Sequence, residues 1–280
     1  LIFQAIVQPD GKILVAGAFA TTSSALYGRN SLARLNADGT VDLSFDPRLR
    51  LGPSSFFATP LAKAMLLDNG DVLVWLEGSR RVEREGAQFT VGIVRLDQYG
   101  NLVGTYGTST QFRSDGEWVL AASGELITYG NFSGPAQLRK YKADRTVDMG
   151  FVAAVTQGFI YDMLVAGNTL WIAGSFQNVN STSHPNLARL NLTTGALETD
   201  GSLEVIGQVN VVREYDGKIY IGGSFTKVNG AERFRIARLN LDGSLDTSFD
   251  PGRGPNRSIG AIEFQMDGKP VIGSGFDRVD

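Results

Sequence analysis

One block of residues recurs along this chain, and the recurrence limits the folds open to it more than any other property. Gln8-Pro-Asp-Gly-Lys-Ile-Leu-Val-Ala-Gly-Ala-Phe19 returns closely at 216–225 and 267–276 and more loosely at 123–132 and 167–176. In these copies the Phe stands eight residues after the turn residue, which is Gly11, Gly124, Asn168, Gly217 or Gly268. A degenerate copy at 69–76 keeps the turn and the apolar run, with Gly78 in place of the Phe. The turn positions 11, 70, 124, 168, 217 and 268 are 59, 54, 44, 49 and 51 residues apart, the period of a propeller blade or a similar array.

A second block lies between these. Ser31-Leu-Ala-Arg-Leu-Asn-Ala-Asp-Gly-Thr-Val-Asp-Leu-Ser-Phe-Asp-Pro47 returns at 235–251, with partial copies at 93–97, 138–151 and 187–191. A basic residue and an aromatic eleven positions later mark four copies: Arg34 and Phe45, Arg95 and Tyr106, Lys140 and Phe151, Arg238 and Phe249. The fifth copy, from Arg189, has Asp200 at that place, so its last strand is expected to be altered.

Each unit holds four short apolar or β-branched runs, and two of its connections are Asp-Gly or a near relative, which supplies the φ > 0 residues that tight hairpins require. Labelled a to d, the strands of the last complete unit are expected near 209–215, 218–223, 235–240 and 244–249. Helical repeats are excluded because no segment sustains a 3.6-residue period. The sequence predicts an all-β fold, a single β-propeller over 1–280 with four-stranded antiparallel blades at 1–53, 54–109, 110–158, 159–208 and 209–257 and a partial sixth at 258–280. The alternative is another β-repeat solenoid, which would not favour two hairpin turns in every unit. Flanking segments or another chain are expected to complete the last blade.

The two blocks resemble the delta-60 repeat, a bacterial β-propeller-like repeat, strongly in the first, fifth and sixth units and weakly in the second and third. That resemblance implies large secreted or surface-associated proteins, hence an extracellular or cell-surface location, and no established enzymatic activity.

Composition removes several functions. Hydrophobic residues at 42% and charged residues at 20% describe a globular protein, and a formal charge of -3 provides no field for nucleic acid. With no cysteine there is neither a disulfide nor a thiolate site. No apolar run nears the roughly 20 residues that a membrane-spanning helix needs, so no membrane insertion is expected. The single histidine, His184, lies in a Ser-Thr-Ser-His-Pro stretch read as a solvated loop.

In an up-and-down blade the a–b and c–d turns share one end, and the b–c and d–a loops the other. From turn residue to basic marker the five complete units span 23, 25, 16, 21 and 21 residues, so length variation collects in the second pair of loops. A scaffold that presents a binding surface has this pattern. The candidate binding residues there are Tyr27, Arg29, Arg48, Arg50, Arg80, Arg81, Arg84, Arg233, Arg253 and Arg257, since arginine suits carboxylates and phosphates and stacks on sugars. Ordinary solvated loop charges are the competing reading.

No catalytic or metal residues are assigned. Asn36-x-Asp38-Gly39 and Asn240-x-Asp242-Gly243 have some look of a calcium loop, but the distal bidentate Glu is missing and Asp-Gly turns explain the pattern more simply. Asp162, Glu214 and Glu263 fall on first strands but out of register with one another, against the paired carboxylates of glycoside hydrolysis. The recurring Arg34, Arg95, Arg189, Arg238 and Lys140 are read as structural, satisfying carbonyls or a nearby acid, and the recurring Phe residues as packing between blades. The expected function is a non-enzymatic binding or scaffold module of a larger extracellular protein, recognising a protein or glycan on a surface. A carbohydrate-active enzyme with a site at the central channel and a structural spacer or virion or appendage component are the alternatives.

Overall fold

A glycine with positive φ closes the first hairpin of every repeat: Gly11, Gly70, Gly124, Gly167, Gly217 and Gly268 have φ between 60° and 84°. In the fourth repeat this residue is Gly167, one place before Asn168. The computed structural model describes residues 2–17, 19, 32–47, 50–51, 61–76, 81–84, 87–90, 93–106, 118–130, 136–199 and 203–275. The described strands pair antiparallel throughout, which removes the parallel solenoid. No helix among the described residues is long and apolar enough to cross a membrane. The fold is all-β, of the propeller class, and its repeats are meanders. In the fourth, strand a at Phe159–Ala166 pairs with b at Thr169–Ser175, and b with c at Leu187–Asn191. In the fifth the same order runs Val209–Tyr215, Lys218–Gly223 and Ile236–Asn240.

The chain divides into two compact units, Leu1–Asp115 and Gly116–Asp280. In the first, Leu14, Leu32 and Phe45 of one repeat pack against Val72, Val74 and Leu96 of the next. In the second unit Phe176 joins a core shared by the third and fourth repeats, and Phe225 one shared by the fourth and fifth; both are fully buried. These two phenylalanines pack between blades as the eight-residue spacing predicts, whereas Phe132 and Phe276 lie outside the described residues.

Strand d differs from the sequence reading. In the fifth repeat no continuous strand covers 244–249; a single bridge, Leu239 to Leu245, is followed by a turn. Asp246 causes the break, accepting hydrogen bonds from the Ser248 amide at 3.0 Å and hydroxyl at 2.6 Å. This side-chain turn competes with the ladder. Asp42 does the same with Ser44 in the first repeat, and Asp148 takes the Gly150 amide in the third. The second repeat has Val103 at this register, and there strand d extends over Leu102–Tyr106 with a register shift between Leu102 and Gly104.

The same acids neutralise the basic markers. Asp42 meets Arg34 at 2.7 Å and Lys12 at 3.0 Å; Asp246 meets Arg238 at 2.9 Å and Lys218 at 3.1 Å. Where Val103 removes the acid, the residue just before strand b supplies one, and Arg95 pairs with Asp71 at 2.7 Å. The cations also lie over aromatic rings, Arg34 over Phe45 at 4.8 Å and Arg238 over Phe249 at 5.1 Å. In the fourth repeat, which has Asp200 at the aromatic position, Arg189 lies instead over Trp171 of strand b at 5.6 Å.

The cations then reach the following repeat. Arg34 donates to the Gln98 carbonyl at 2.8 Å, Lys140 to Leu192 O at 3.0 Å and Arg189 to Asp242 O, and each acceptor lies in the next c–d turn. The structural reading of these recurring residues is borne out and extended from the repeat to its neighbour.

Burial works against the charge on Asp42, but the Ser44 hydroxyl, Lys12, Arg34 and the Ser44 amide outweigh it and hold the carboxyl well below its usual range. The Ser248 hydroxyl leads the same effect at Asp246. Since the folded pKa values lie below the unfolded value of about 3.9, acidification protonates the unfolded chain first. The stability that these two carboxylates contribute should hold level from neutral pH to about 5 and fall as pH drops below about 4. Urea titrations across this range check the trend, and a stability that rises on acidification would contradict it.

The arginine-lined cavity of the fifth repeat

The b–c connections of the fourth and fifth repeats are hairpins. In the fourth repeat Asn178–Val179 pairs with Thr182–Ser183, and in the fifth Lys227–Val228 pairs with Ala231–Glu232. Each hairpin is also seated on the last segment of the repeat before it: Val179 opposite Val155, and Val228 opposite Val205. Both central valines are fully buried. The second repeat follows this plan, with the hairpin of Arg81–Arg84 and Ala87–Thr90 pairing onto Arg50–Leu51.

The two loop pairs are not kept at opposite ends. The hairpin tips fold back to the c–d turn of their own repeat, where Asn180 donates to Gly195 O at 2.9 Å and Asn229 to Gly243 O at 3.0 Å. The same side chains accept from the preceding repeat, Asn180 from the Ala154 amide and Asn229 from the Glu204 amide, each at 2.9 Å. Both have positive φ, 48° and 49°, the left-handed conformation that asparagine tolerates best after glycine. Much of what reads in sequence as variable presenting loop is therefore a staple between repeats.

After the fifth hairpin the chain enters strand c through Arg233, Phe234 and Arg235. Together with Glu232, Asp250 and residues 252–256 they line a cavity of about 800 Å³. Gly254 brings the two walls together: its φ is +61° and a Cβ there would lie 2.7 Å from the Phe234 carbonyl, so a side chain would push them apart. Arg233 is 8% exposed; its Nη1 donates to the Glu232 carbonyl at 2.7 Å and lies 3.4 Å from Asp250. Its Nε is buried with no hydrogen-bond partner. Arg253 is exposed and Arg235 half-buried. Three guanidiniums against the carboxylates of Glu232 and Asp250 leave the cavity with one positive charge in excess.

No other repeat has the run Arg-Phe-Arg at this register, although Arg29 stands five residues before Arg34 as Arg233 does before Arg238. In register, Phe176 to Asn191 aligns with Phe225 to Asn240, which places His184, Pro185 and Asn186 where Arg233, Phe234 and Arg235 stand. The backbone agrees: the amides of His184 and Arg233 bond to Gln177 O and Thr226 O, each at 3.0 Å. Asn186 donates to Val205 O at 3.1 Å. His184 is not a solvated loop residue: it is half-buried, its Nε2 is enclosed without a partner, and burial pushes its pKa down. The hairpin that precedes it carries the ring against the protein.

Of the arginines singled out in the sequence, Arg233 and Arg253 meet in this cavity, while Arg257 is exposed and does not line it. Arg50 lies on the strand Arg50–Leu51, and Arg81 and Arg84 on the strand Arg81–Arg84. Tyr27, Arg29, Arg48 and Arg80 lie outside the described residues. Sequence reasoning missed Arg235 and Asp250; the change from His-Pro-Asn to Arg-Phe-Arg at one register was the signal that could have found them.

The other candidates hold turns and strands. Asp38 accepts from the Thr40 amide and hydroxyl, and Asp242 from those of Ser244. No group of three or more His, Cys, Asp or Glu among the described residues could hold a metal ion. Asp162 ties two first strands together, accepting from the Val212 amide at 3.0 Å and from Arg213, and Glu214 accepts from the Gly217 amide at 2.9 Å.

Comparison with known proteins adds a family description. A family model described as "Domain of unknown function (DUF5122) beta-propeller" matches residues 8–45, 168–204 and 216–249. Searching curated proteins finds no match to the sequence. Among solved structures, the AfRom2 CNH domain is similar at 6% identity and a TM-score of 0.48, covering 95% of this chain and 76% of its own. The uncharacterized protein lmo1340 from Listeria monocytogenes EGD-e is similar at 12% identity and a TM-score of 0.43, with 97% and 82% covered. BamB from Moraxella catarrhalis is similar at 12% identity and a TM-score of 0.35, with 94% and 90% covered. The matched stretches fall in the first, fourth and fifth repeats, and these repeats are similar to the DUF5122 beta-propeller model.

Proposed function

We propose that the chain is a non-enzymatic recognition module of a larger extracellular or surface-associated protein, and that the arginine-lined cavity of the fifth repeat is its binding site. The observation that carries this reading is Arg233, buried in the cavity wall with its Nε unpartnered at a register where the preceding repeat has histidine. The fold does not need an arginine there, and enclosing an unsatisfied N–H costs about 1–3 kcal/mol that a ligand acceptor would recover. Arg34 and Lys140, by contrast, are employed in holding repeats together. The likeness of the blocks to the delta-60 repeat supports the extracellular setting, with a protein or glycan on a surface as partner. Asp162 and Glu214 already serve strand and turn, which favours recognition over a carboxylate pair for glycoside hydrolysis.

A panel of immobilised neutral glycans, acidic glycans and surface proteins tests the proposal. The chain should bind at least one class, and Arg253→Ala should weaken that binding about tenfold or more, equivalent to roughly 1.4 kcal/mol. Absence of binding across the panel, or binding indifferent to Arg253→Ala, would overturn it.

A further inference from the structure

The composition of the cavity wall narrows the ligand, on the reading above that the cavity is the binding site. At about 800 Å³ it is far larger than an inorganic ion requires and falls within the range of about 300–1,000 Å³ typical of small-molecule sites. Arg233, Arg235 and Arg253 present planar donors matched to a carboxylate, and neither Arg235 nor Arg253 has a side-chain partner among the described residues.

Glu232 and Asp250 line the same cavity and set the complementary condition. Ionised carboxylates only accept hydrogen bonds, so a ligand beside them must bring donors. They also repel a polyanion, and one excess positive charge suits a ligand carrying one negative charge per binding unit. Phe234 and Pro255 add apolar surface. A sugar acid meets every condition: a carboxylate for the guanidiniums, hydroxyls for Glu232 and Asp250, and a C–H face for the ring and the proline. A glutamate-rich peptide brings several negative charges against one excess positive charge, and inorganic phosphate brings no apolar face. We infer that this cavity binds an acidic saccharide, with the uronate-type carboxylate held by Arg233 and Arg253 and the ring hydroxyls donating to Glu232 and Asp250.

The test is calorimetric titration of the full chain with a glucuronic acid oligosaccharide, its carboxyl-reduced glucose counterpart, a glutamate-rich peptide and inorganic phosphate. The uronide should bind, and reduction of its carboxyl should weaken binding at least tenfold. Arg253→Ala should cost the uronide a similar factor and the reduced sugar little, because the exposed arginine then lacks the group it recognises. Arg253 is exposed, so this variant should fold normally, and its thermal midpoint confirms that. Lys269→Ala, which removes the same charge at a hairpin turn outside the cavity, should leave binding intact.

Equal binding of both sugars, with Arg253→Ala weakening each, would overturn the carboxylate inference while leaving the cavity as a binding site. Tighter binding of the peptide or of phosphate, or no binding of the uronide, also overturns it. The wider panel then decides the recognition reading independently.

Discussion

An Asp42→Ala variant should lose about 3–5 kcal/mol of folding stability, the cost of leaving a buried cation without its counter-charge. Arg34 is 7% exposed and Asp42 6%, and one carboxylate oxygen of Asp42 serves both Arg34 and Lys12. The other oxygen holds the Ser44 amide at 2.9 Å and hydroxyl at 2.6 Å, so the alanine also releases the turn that ends the ladder. Urea denaturation measures the loss; a change under about 1 kcal/mol, as for an exposed ion pair, would contradict it. The second repeat suggests the cure. There Val103 and Asp71 solve the same problem around Arg95. The double variant Lys12→Asp/Asp42→Val transplants that solution and should regain most of what Asp42→Val alone loses. Failure of the rescue would mean that the acid's place in strand d, and not only its charge, is required.

Phe225→Ala should cost about 3–5 kcal/mol, as large aromatic deletions from a packed core do. The ring is fully buried among Trp171 and Val205 of the fourth repeat and Ile221 and Val228 of the fifth. Because the cavity left behind opens into both repeats, amide exchange should accelerate on strands b of each, Thr169–Ser175 and Lys218–Gly223. Acceleration confined to the fifth repeat would contradict the shared core.

What the sequence reveals and what it hides follow from how far each interaction reaches along the chain. Gly11, Gly70, Gly217 and Gly268 announce themselves because φ > 0 leaves little choice of residue. The eight-residue interval to Phe225 is legible for the same local reason, fixed by one strand. The interruption of strand d at Asp246 was legible in principle, since Asp-Thr-Ser is a side-chain turn, but alternation and the terminal Phe249 suggested a strand more strongly.

The staples are a different matter. The bonds from Arg34 to Gln98 and from Lys140 to Leu192 join residues 64 and 52 positions apart, and no pattern within either segment encodes its partner. The cavity is intermediate. Arg233 and Arg253 are visible as loop arginines, whereas the approach of Gly254 to Phe234, which sets them on one wall, is a property of packing.

The staples made by the basic markers run one way. In every pair described, the side chain belongs to the earlier repeat and the turn carbonyl to the later one: Arg34 to Gln98, Lys140 to Leu192, Arg189 to Asp242. A repeat therefore contributes its marker cation forward and meets the marker of the repeat before it through a backbone atom that any residue supplies. Within a unit, damage to a c–d turn should be felt upstream, at the cation of the repeat before it, while loss of a cation leaves the downstream turn needing only water. Such an arrangement lets turn sequences drift while their shape is kept, and it gives the array a grammatical direction in which each word is checked by the one that precedes it.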